Sequence, residues 1–215
     1  MKCKQLYHLS LILFLFFYCH SDAYALQEDT AYIKVITQRA AKIVNTLQLH
    51  QPDKESRLTG IIANQYRSLR AIHDAHHAAV AQPDTDKKLA GEKRDAALQA
   101  QHAAYLAQLG KELTAPEIEK IKDGMTYGVL PLTFKTYQEM VPSLTSAQKQ
   151  QIHAWLVEAR EHAMDAESSE MKHWWFGKYK GRINNYLSSA GIDMKKEEAA
   201  WKQRIRDKKA ASANN

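Results

Sequence analysis

A basic and aromatic stretch near the carboxyl end of the chain, residues 172–186, reads KHWWFGKYKGRINNY. Aromatic rings can stack on a sugar ring, and basic or amide groups donate hydrogen bonds to hydroxyls and carboxylates. On a helix, side chains three and four positions apart share a face, so the two kinds of group would lie side by side. We predict a ligand-binding face that consists of Trp175, Lys178, Tyr179, Arg182, Asn185 and Tyr186. The alternative is that the rings belong to the core and the cations to the solvated surface, as is common for aromatic stripes.

Three polar residues that precede this stretch, Glu158, His162 and Asp165, have spacings that place them on one helical face. A carboxylate beside a histidine can orient the imidazole for acid–base chemistry or for a hydrogen bond to a ligand. We therefore include Asp165 in the predicted binding site. The trio matches no known metal motif, so we predict neither a bound metal nor a cofactor.

An enzyme that acts on acidic or modified sugars, a lyase or a hydrolase, is the main alternative to a binding protein. Its catalytic residues would be His162, His173 and Tyr179, because imidazole and phenol groups can exchange protons with a substrate. Lys178 and Arg182 would neutralise the carboxylate of an acidic sugar. This hypothesis requires these groups to surround one pocket, and it fails if they lie on opposite sides of the protein.

A group of histidines, His73, His76 and His77, lies earlier in the chain. The four-residue step from His73 to His77 suits two imidazoles on one ion, but no acidic residue of a known metal motif accompanies them. We interpret the group as the polar, solvated end of a helix, although His73 also continues the apolar stripe of that helix.

The elements that must position these residues are helices, because apolar residues recur at three- and four-residue steps through most of the chain. Two segments share a start signal in which Thr114 or Thr145 caps a helix and Glu117 or Gln148 bonds back to the cap. No run of alternating β-branched residues predicts a strand, and no linker rich in Pro, Gly or Ser divides the chain. We predict an all-α, single-domain bundle of about six to eight helices over residues 26–209, with a frayed tail over residues 210–215.

Residues 1–25 have the order of a secretory signal peptide, with a basic start, a short apolar run and a small-residue cleavage pattern over residues 23–25. The run is too short to span a bilayer, so we predict export to the periplasm or the medium without stable membrane insertion. Both cysteines, Cys3 and Cys19, lie in this leader, so the exported part would contain no disulfide. Lipidation of Cys19 is the alternative.

The charge of the chain bears on its partners. The net charge is +6, which is compatible with an anionic partner such as an acidic polysaccharide or an envelope surface. The chain carries no recognisable nucleic-acid-binding motif and has an export signal, so we do not predict nucleic acid as a partner.

Two long blocks of sequence, AWLVEAREHAMDA over residues 154–166 and WFGKYKGRINNYL over residues 175–187, resemble an uncharacterised family of exported Bacteroidetes proteins, domain of unknown function 3826. The resemblance covers most of the chain after the leader, from AYIKVITQRAAKIVNTL onward. Members of that family often accompany genes for the breakdown of plant polysaccharides, especially pectic material, so the resemblance implies a carbohydrate context without a demonstrated reaction. We predict an exported, carbohydrate-associated protein that binds plant oligosaccharides of the pectic type.

A second resemblance is to helical periplasmic chaperones of the Spy-like type, whose mark is LTxxQ. The segment LTSAQ over residues 144–148 fits that pattern, whereas LTAPE over residues 113–117 departs from it at the last position. A helix cap explains both segments without common ancestry. A chaperone remains the third function, and it predicts a thin helical cradle with a concave apolar face.

Overall fold

Helices make up all the regular structure of residues 30–213, the part of the chain that the computed structural model describes. The elements are α1 over residues 30–45, α2 Pro52–Val80, α3 Lys87–Leu109, α4 Ala115–Met125, α5 Val129–Met140, α6 Ser146–Met164, α7 Ser169–Ser189 and α8 Met194–Ala213. The predicted all-α, single-domain bundle is therefore confirmed. The predicted leader lies outside the described residues, and the predicted tail lies partly within α8. No helix within residues 30–213 is both long and apolar enough to cross a membrane.

Both predicted start signals form helix caps, and the cap of α6 is reciprocal. The Oε2 atom of Glu117 accepts hydrogen bonds from the backbone nitrogen of Thr114 at 2.8 Å and from its hydroxyl at 2.7 Å. At α6, the backbone nitrogen of Gln148 donates to the Thr145 hydroxyl at 3.2 Å, and the Thr145 nitrogen donates to the Gln148 side chain at 2.9 Å. These bonds satisfy backbone donors that have no partner within the first turn of a helix. The LTSAQ segment thus has a local structural role.

Two apolar clusters hold the helices together. The first joins α1 to α2, α3 and α4, and the second joins α5, α6 and α7. Leu58, Ile62, Tyr66, Leu69 and His73, the predicted inward stripe of α2, are all buried. The α7 helix likewise buries one stripe into the second cluster, and that stripe contains Phe176, Tyr179, Ile183 and Leu187. Periodic burial of this kind fixes how each helix is rotated about its own axis.

A tight junction connects α4 to α5. A Cβ atom on Gly124 would lie only 2.8 Å from the side chain of Ile43, so glycine lets α4 approach α1 closely. The chain then turns through two left-handed residues, Tyr127 with φ 59° and Gly128 with φ 66°. This turn places the side chain of Tyr127 beside the first turns of α7, as its stacking on His173 shows.

Candidate functional site

The aromatic face predicted on α7 is formed largely of side chains that contact one another. The ring of His162 stacks on Trp175 with centroids 4.3 Å apart, and the Lys178 Nζ atom lies 4.9 Å from the Trp175 ring centroid. Tyr179 is buried against α6, and its pKa is raised to about 12 by burial and by a hydrogen bond with Glu158. The rings of this face are therefore already covered in part by the protein's own groups.

The far end of the same face is paired in a similar way. The Arg182 guanidinium lies 4.6 Å above the ring centroid of Trp155 and 3.6 Å from the Glu158 carboxylate. Tyr186 meets Trp155 edge to face at 5.2 Å, and Asn185 is exposed to solvent. The structure brings the predicted binding residues of α7 together. The two cations, Lys178 and Arg182, already form cation–π contacts with tryptophan rings of the protein. A role for this face in ligand binding stays a prediction.

The remaining predicted residues lie elsewhere. His173 and Trp175 are two positions apart on a helix, which separates them by roughly 160° around its axis. The His173 ring stacks instead on Tyr127, with centroids 5.7 Å apart and an interplanar angle of 17°. His162 and His173 therefore lie on opposite sides of α7. The structure thus does not bring His162, His173 and Tyr179 together on one side of α7, and a catalytic role for any of them stays a prediction.

Asp165 does not join His162, because it follows the last turn of α6 and faces α3. Its Oδ2 atom lies 2.7 Å from the Nδ1 atom of His102, whose Nε2 atom lies 3.3 Å from Glu161. Lys122 donates to the same Glu161 carboxylate at 2.9 Å. Hydrogen bonds to Asp165 and Glu161 raise the pKa of His102 to about 9. No pattern in the sequence indicated His102 as the partner of Asp165.

Arg160 extends this group into an ion cluster among α3, α4 and α6. Its side chain is 2% exposed and donates to Asp123 at 2.8 Å, to Glu161 at 3.2 Å and to Glu119. We call the group the buried ion cluster, and its members are His102, Glu119, Lys122, Asp123, Arg160, Glu161 and Asp165. The Arg160 guanidinium thus connects α6 to two carboxylates of α4.

Stability should depend on the charge of His102. The folded protein holds the His102 pKa at about 9, above the ordinary 6.5. The stabilisation is therefore complete below pH 6.5 and is lost as the pH rises through about 9. We expect His102→Gln to remove this dependence from the free energy of unfolding, measured in urea across that pH range. His153→Gln, at an exposed position of α6, is the matched control. An NMR titration of His102 near pH 6.5 would contradict the assignment.

A cavity of about 470 Å³ opens between α1, α2 and the start of α7, and its walls are rich in polar and aromatic groups. The lining includes three tyrosines, three cations, two histidines and two carboxylates: Tyr32, Tyr66, Tyr127, Arg39, Arg70, Lys172, His73, His77, Asp74 and Glu167. We call it the α1–α2–α7 cavity. A concave, partly aromatic pocket with converging polar groups is the usual form of a small-molecule site.

Some of the charges in this cavity have partners. Arg70 pairs with Asp74 at 3.4 Å and lies 4.3 Å from the ring centroid of Tyr32. Glu167 lies 3.0 Å from the Nε2 atom of His77 and 3.7 Å from the Nδ1 atom of His73. Both carboxylates of the cavity wall are thus already engaged.

Two cations of the cavity have no carboxylate partner among residues 30–213. The Arg39 guanidinium carbon lies 5.5 Å from the ring centroid of Tyr66, and the Lys172 Nζ atom lies 5.7 Å from the same centroid. Neither side chain forms an ion pair within 4.0 Å in the described part of the chain. Tyr66 is buried, and burial raises its pKa to about 12. The two cations therefore border one phenol and remain available to an anion.

Lys172 is the more unusual of the two. Its side chain is 5% exposed, and its Nζ atom donates to the carbonyl oxygen of Met125 at 3.1 Å. Burial lowers the pKa of its amine to about 8. A buried cation costs free energy unless a charge compensates it. An anionic ligand in the cavity would supply that compensation.

A sequence model of one protein family, described as "Protein of unknown function (DUF3826)", matches residues 33–207. The chain belongs to this family. The matched region of this DUF3826 protein runs from α1 into α8 and includes Arg39, Tyr66 and Lys172. Among curated proteins, none matches the chain.

Arg39, Tyr66 and Lys172 of the α1–α2–α7 cavity were not predicted from the sequence, although the position of Lys172 on its helix was a usable signal. Lys172 lies four positions before Phe176 and continues the inward stripe of α7, so a lysine occupies a core-facing position. Arg39 and Tyr66 carried no such signal, because they come from α1 and α2. His73 was interpreted as part of a solvated group, and this was wrong: it is buried, and its Nε2 atom lies 2.8 Å from the carbonyl oxygen of Asp165.

Within residues 30–213, no group of three or more His, Cys, Asp or Glu side chains is arranged to hold an ion. The side chains of His73 and His77 on α2 both lie within 4.0 Å of the Glu167 carboxylate. The arrangement gives α2 a polar contact with the segment between α6 and α7.

Proposed function

We propose that this DUF3826 protein is an exported binding protein for acidic plant oligosaccharides of the pectic type. The α1–α2–α7 cavity is the proposed site for the carboxylate of a uronate residue. The observation that carries the proposal is the pair of cations, Arg39 and Lys172, which border Tyr66 without a carboxylate partner in the described chain.

The charge of the site favours an acidic ligand over a neutral one. Lys172 is desolvated, and electrostatic attraction is stronger in a buried site than in water. Arg39 is exposed to solvent, so its guanidinium is reachable by a ligand that enters the cavity. A guanidinium can hold a carboxylate through two parallel hydrogen bonds. Together the two cations can neutralise one carboxylate from two directions.

The other walls of the cavity favour a sugar as the body of the ligand. Tyrosine rings offer an apolar surface to the C–H groups of a sugar, and hydroxyl groups beside them provide hydrogen bonds. Ser168, Ser169 and His77 also line the cavity. The resemblance of the chain to an exported family with a carbohydrate context points to the same class of ligand. Export itself is proposed from the leader over residues 1–25.

A binding measurement on the mature protein tests this proposal. We expect isothermal titration to detect galacturonide oligosaccharides and to give no heat of binding with neutral galactan or arabinan oligosaccharides of equal length. The affinity should fall with added salt, because opposite charges attract in the complex. Equal affinity for neutral and acidic oligosaccharides would contradict the site, and the absence of any binding to galacturonides would contradict the function.

The two other functions considered from the sequence have distinct outcomes in simple experiments. Turnover would appear as new products when the same oligosaccharides are incubated with the protein and separated by chromatography. A chaperone would suppress the aggregation of an unfolding test protein without any sugar. The binding proposal expects neither result.

A further inference from the structure

Tyr127 is an unusual residue at the mouth of the α1–α2–α7 cavity. Its φ angle is 59°, in the left-handed region that bulky residues rarely adopt. Its side chain is 48% exposed, and it belongs to neither apolar cluster of the described chain. The positive φ of a large aromatic residue costs conformational free energy, and the half-exposed ring of Tyr127 recovers little of it through packing. Strained residues of this kind concentrate at ligand sites.

The surrounding backbone holds Tyr127 in this conformation. The nitrogen of Gly128 donates to the carbonyl oxygen of Asp123 at 2.8 Å, and the nitrogen of Val129 donates to the carbonyl oxygen of Thr126 at 3.2 Å. Thr126 is fully buried, and its hydroxyl donates to the carbonyl oxygen of Lys122 at 2.9 Å. The junction is thus fixed on both sides of the tyrosine.

The Tyr127 ring is also supported from one side. His173 stacks on it at 5.7 Å with nearly parallel planes, so one face of the phenol is covered. The half-exposed ring forms part of the cavity wall together with Tyr66 and Lys172. Because the Tyr127 side chain is 48% exposed although His173 stacks on it, part of the ring surface remains open to a ligand.

We propose that Tyr127, supported by His173, forms a second sugar subsite at the mouth of the cavity. One uronate residue of the ligand lies beside Arg39 and Lys172, and the neighbouring sugar residue stacks on the open face of the Tyr127 ring. The preferred ligand is therefore an oligosaccharide of at least two residues. This inference rests on the proposed function, because it extends the same site by one sugar.

A length series of galacturonates with the intact mature protein tests the subsite. Wild-type protein should bind the disaccharide roughly tenfold more tightly than the monosaccharide, since one aromatic stacking contact is worth about that factor. Tyr127→Gly should lose this gain, so that the variant binds the disaccharide no more tightly than it binds the monosaccharide. Tyr127→Phe should retain the gain, because the phenyl ring preserves the stacking face.

The thermal stability of the Tyr127→Gly variant distinguishes a binding role of Tyr127 from a structural one. Glycine adopts a positive φ without strain, so Tyr127→Gly should keep or raise the thermal midpoint while it loses the length-dependent affinity. Trp174→Ala is the matched control, because Trp174 is 50% exposed on α7 and lies outside the cavity lining. It should leave the length series unchanged.

The outcomes distinguish this inference from the function on which it rests. If the monosaccharide binds wild-type protein as tightly as the disaccharide, or if Tyr127→Gly keeps the gain, the subsite is refuted and the carboxylate site stands. If no galacturonate of any length binds wild-type protein, the proposed function is refuted, and the subsite with it.

Discussion

Replacing Lys172 by methionine should weaken the binding of galacturonides by roughly 30- to 100-fold. The buried amine would form a charge-assisted hydrogen bond to the ligand carboxylate, and such a bond contributes about 2–3 kcal/mol. Methionine has a similar length and no charge, so the substitution removes the cation and leaves the cavity filled. Isothermal titration with a galacturonide trisaccharide measures the change.

The same substitution should make the free protein more stable at neutral pH. Burial lowers the pKa of the Lys172 amine from 10.5 to about 8, so the folded protein destabilises the charged form by about 3 kcal/mol below that pH. The lost hydrogen bond to Met125 offsets about 1 kcal/mol of this penalty. We therefore expect Lys172→Met to raise the free energy of unfolding by about 2 kcal/mol.

The lowered pKa of Lys172 also determines how the free energy of unfolding depends on pH. Between about pH 8 and 10.5 the unfolded chain keeps a proton on Lys172 that the folded chain has released. Deprotonation of Lys172 therefore adds stability as the pH rises through this range, and Lys172→Met removes that contribution. Urea unfolding of both proteins across the range measures the difference.

A lysine outside the cavity provides the control for both effects. Lys178 lies on the same helix, on the aromatic face predicted from the sequence, and is exposed. Lys178→Met should leave affinity and stability nearly unchanged. If Lys178→Met weakens binding and Lys172→Met does not, the ligand lies on the α7 face and the cavity proposal is wrong.

Replacing Arg160 by methionine should lower the free energy of unfolding by about 3–5 kcal/mol. The buried guanidinium holds the carboxylates of Glu119, Asp123 and Glu161, and its removal leaves these charges close together and partly desolvated. For a chain of this size the loss corresponds to a fall of roughly 10 °C in the thermal midpoint. Urea unfolding and thermal melts measure the two quantities.

An exposed arginine is the matched control for Arg160. Arg182 pairs with Glu158 at 3.6 Å, and both side chains are about half exposed. Exposed ion pairs contribute at most about 1 kcal/mol, so Arg182→Met should change stability by less than that. Similar small losses in both variants would show that the buried ion cluster does not hold α3, α4 and α6 together.

Local signals in the sequence were sufficient to predict the helices. The caps at Thr114 and Thr145 depend on residues three positions away, and the inward stripe of α2 depends on residues within that helix. Such features can be predicted because their geometry is set by the helical repeat and by short-range hydrogen bonds. Tyr179 was predicted on a ligand-binding face, and the structure buries it in the second apolar cluster.

The assembly of the site could not be predicted in this way. Periodicity shows which side of a helix faces inward, but it does not show which other helix lies opposite. Asp165 was expected beside His162, yet the chain leaves the helical path after α6 and turns this carboxylate toward His102. The catalytic hypothesis needed His173 and His162 around one pocket, yet the His173 ring stacks on Tyr127 and the His162 ring stacks on Trp175.

The sequence by itself determined the helical class, the capped starts of α4 and α6 and the resemblance to one family. Only the tertiary structure decided that Arg39 from α1, Tyr66 from α2 and Lys172 from α7 meet at one cavity. The physical reason is that helix propensity and amphipathicity act over a few residues, whereas a binding site depends on contacts between segments far apart in the chain.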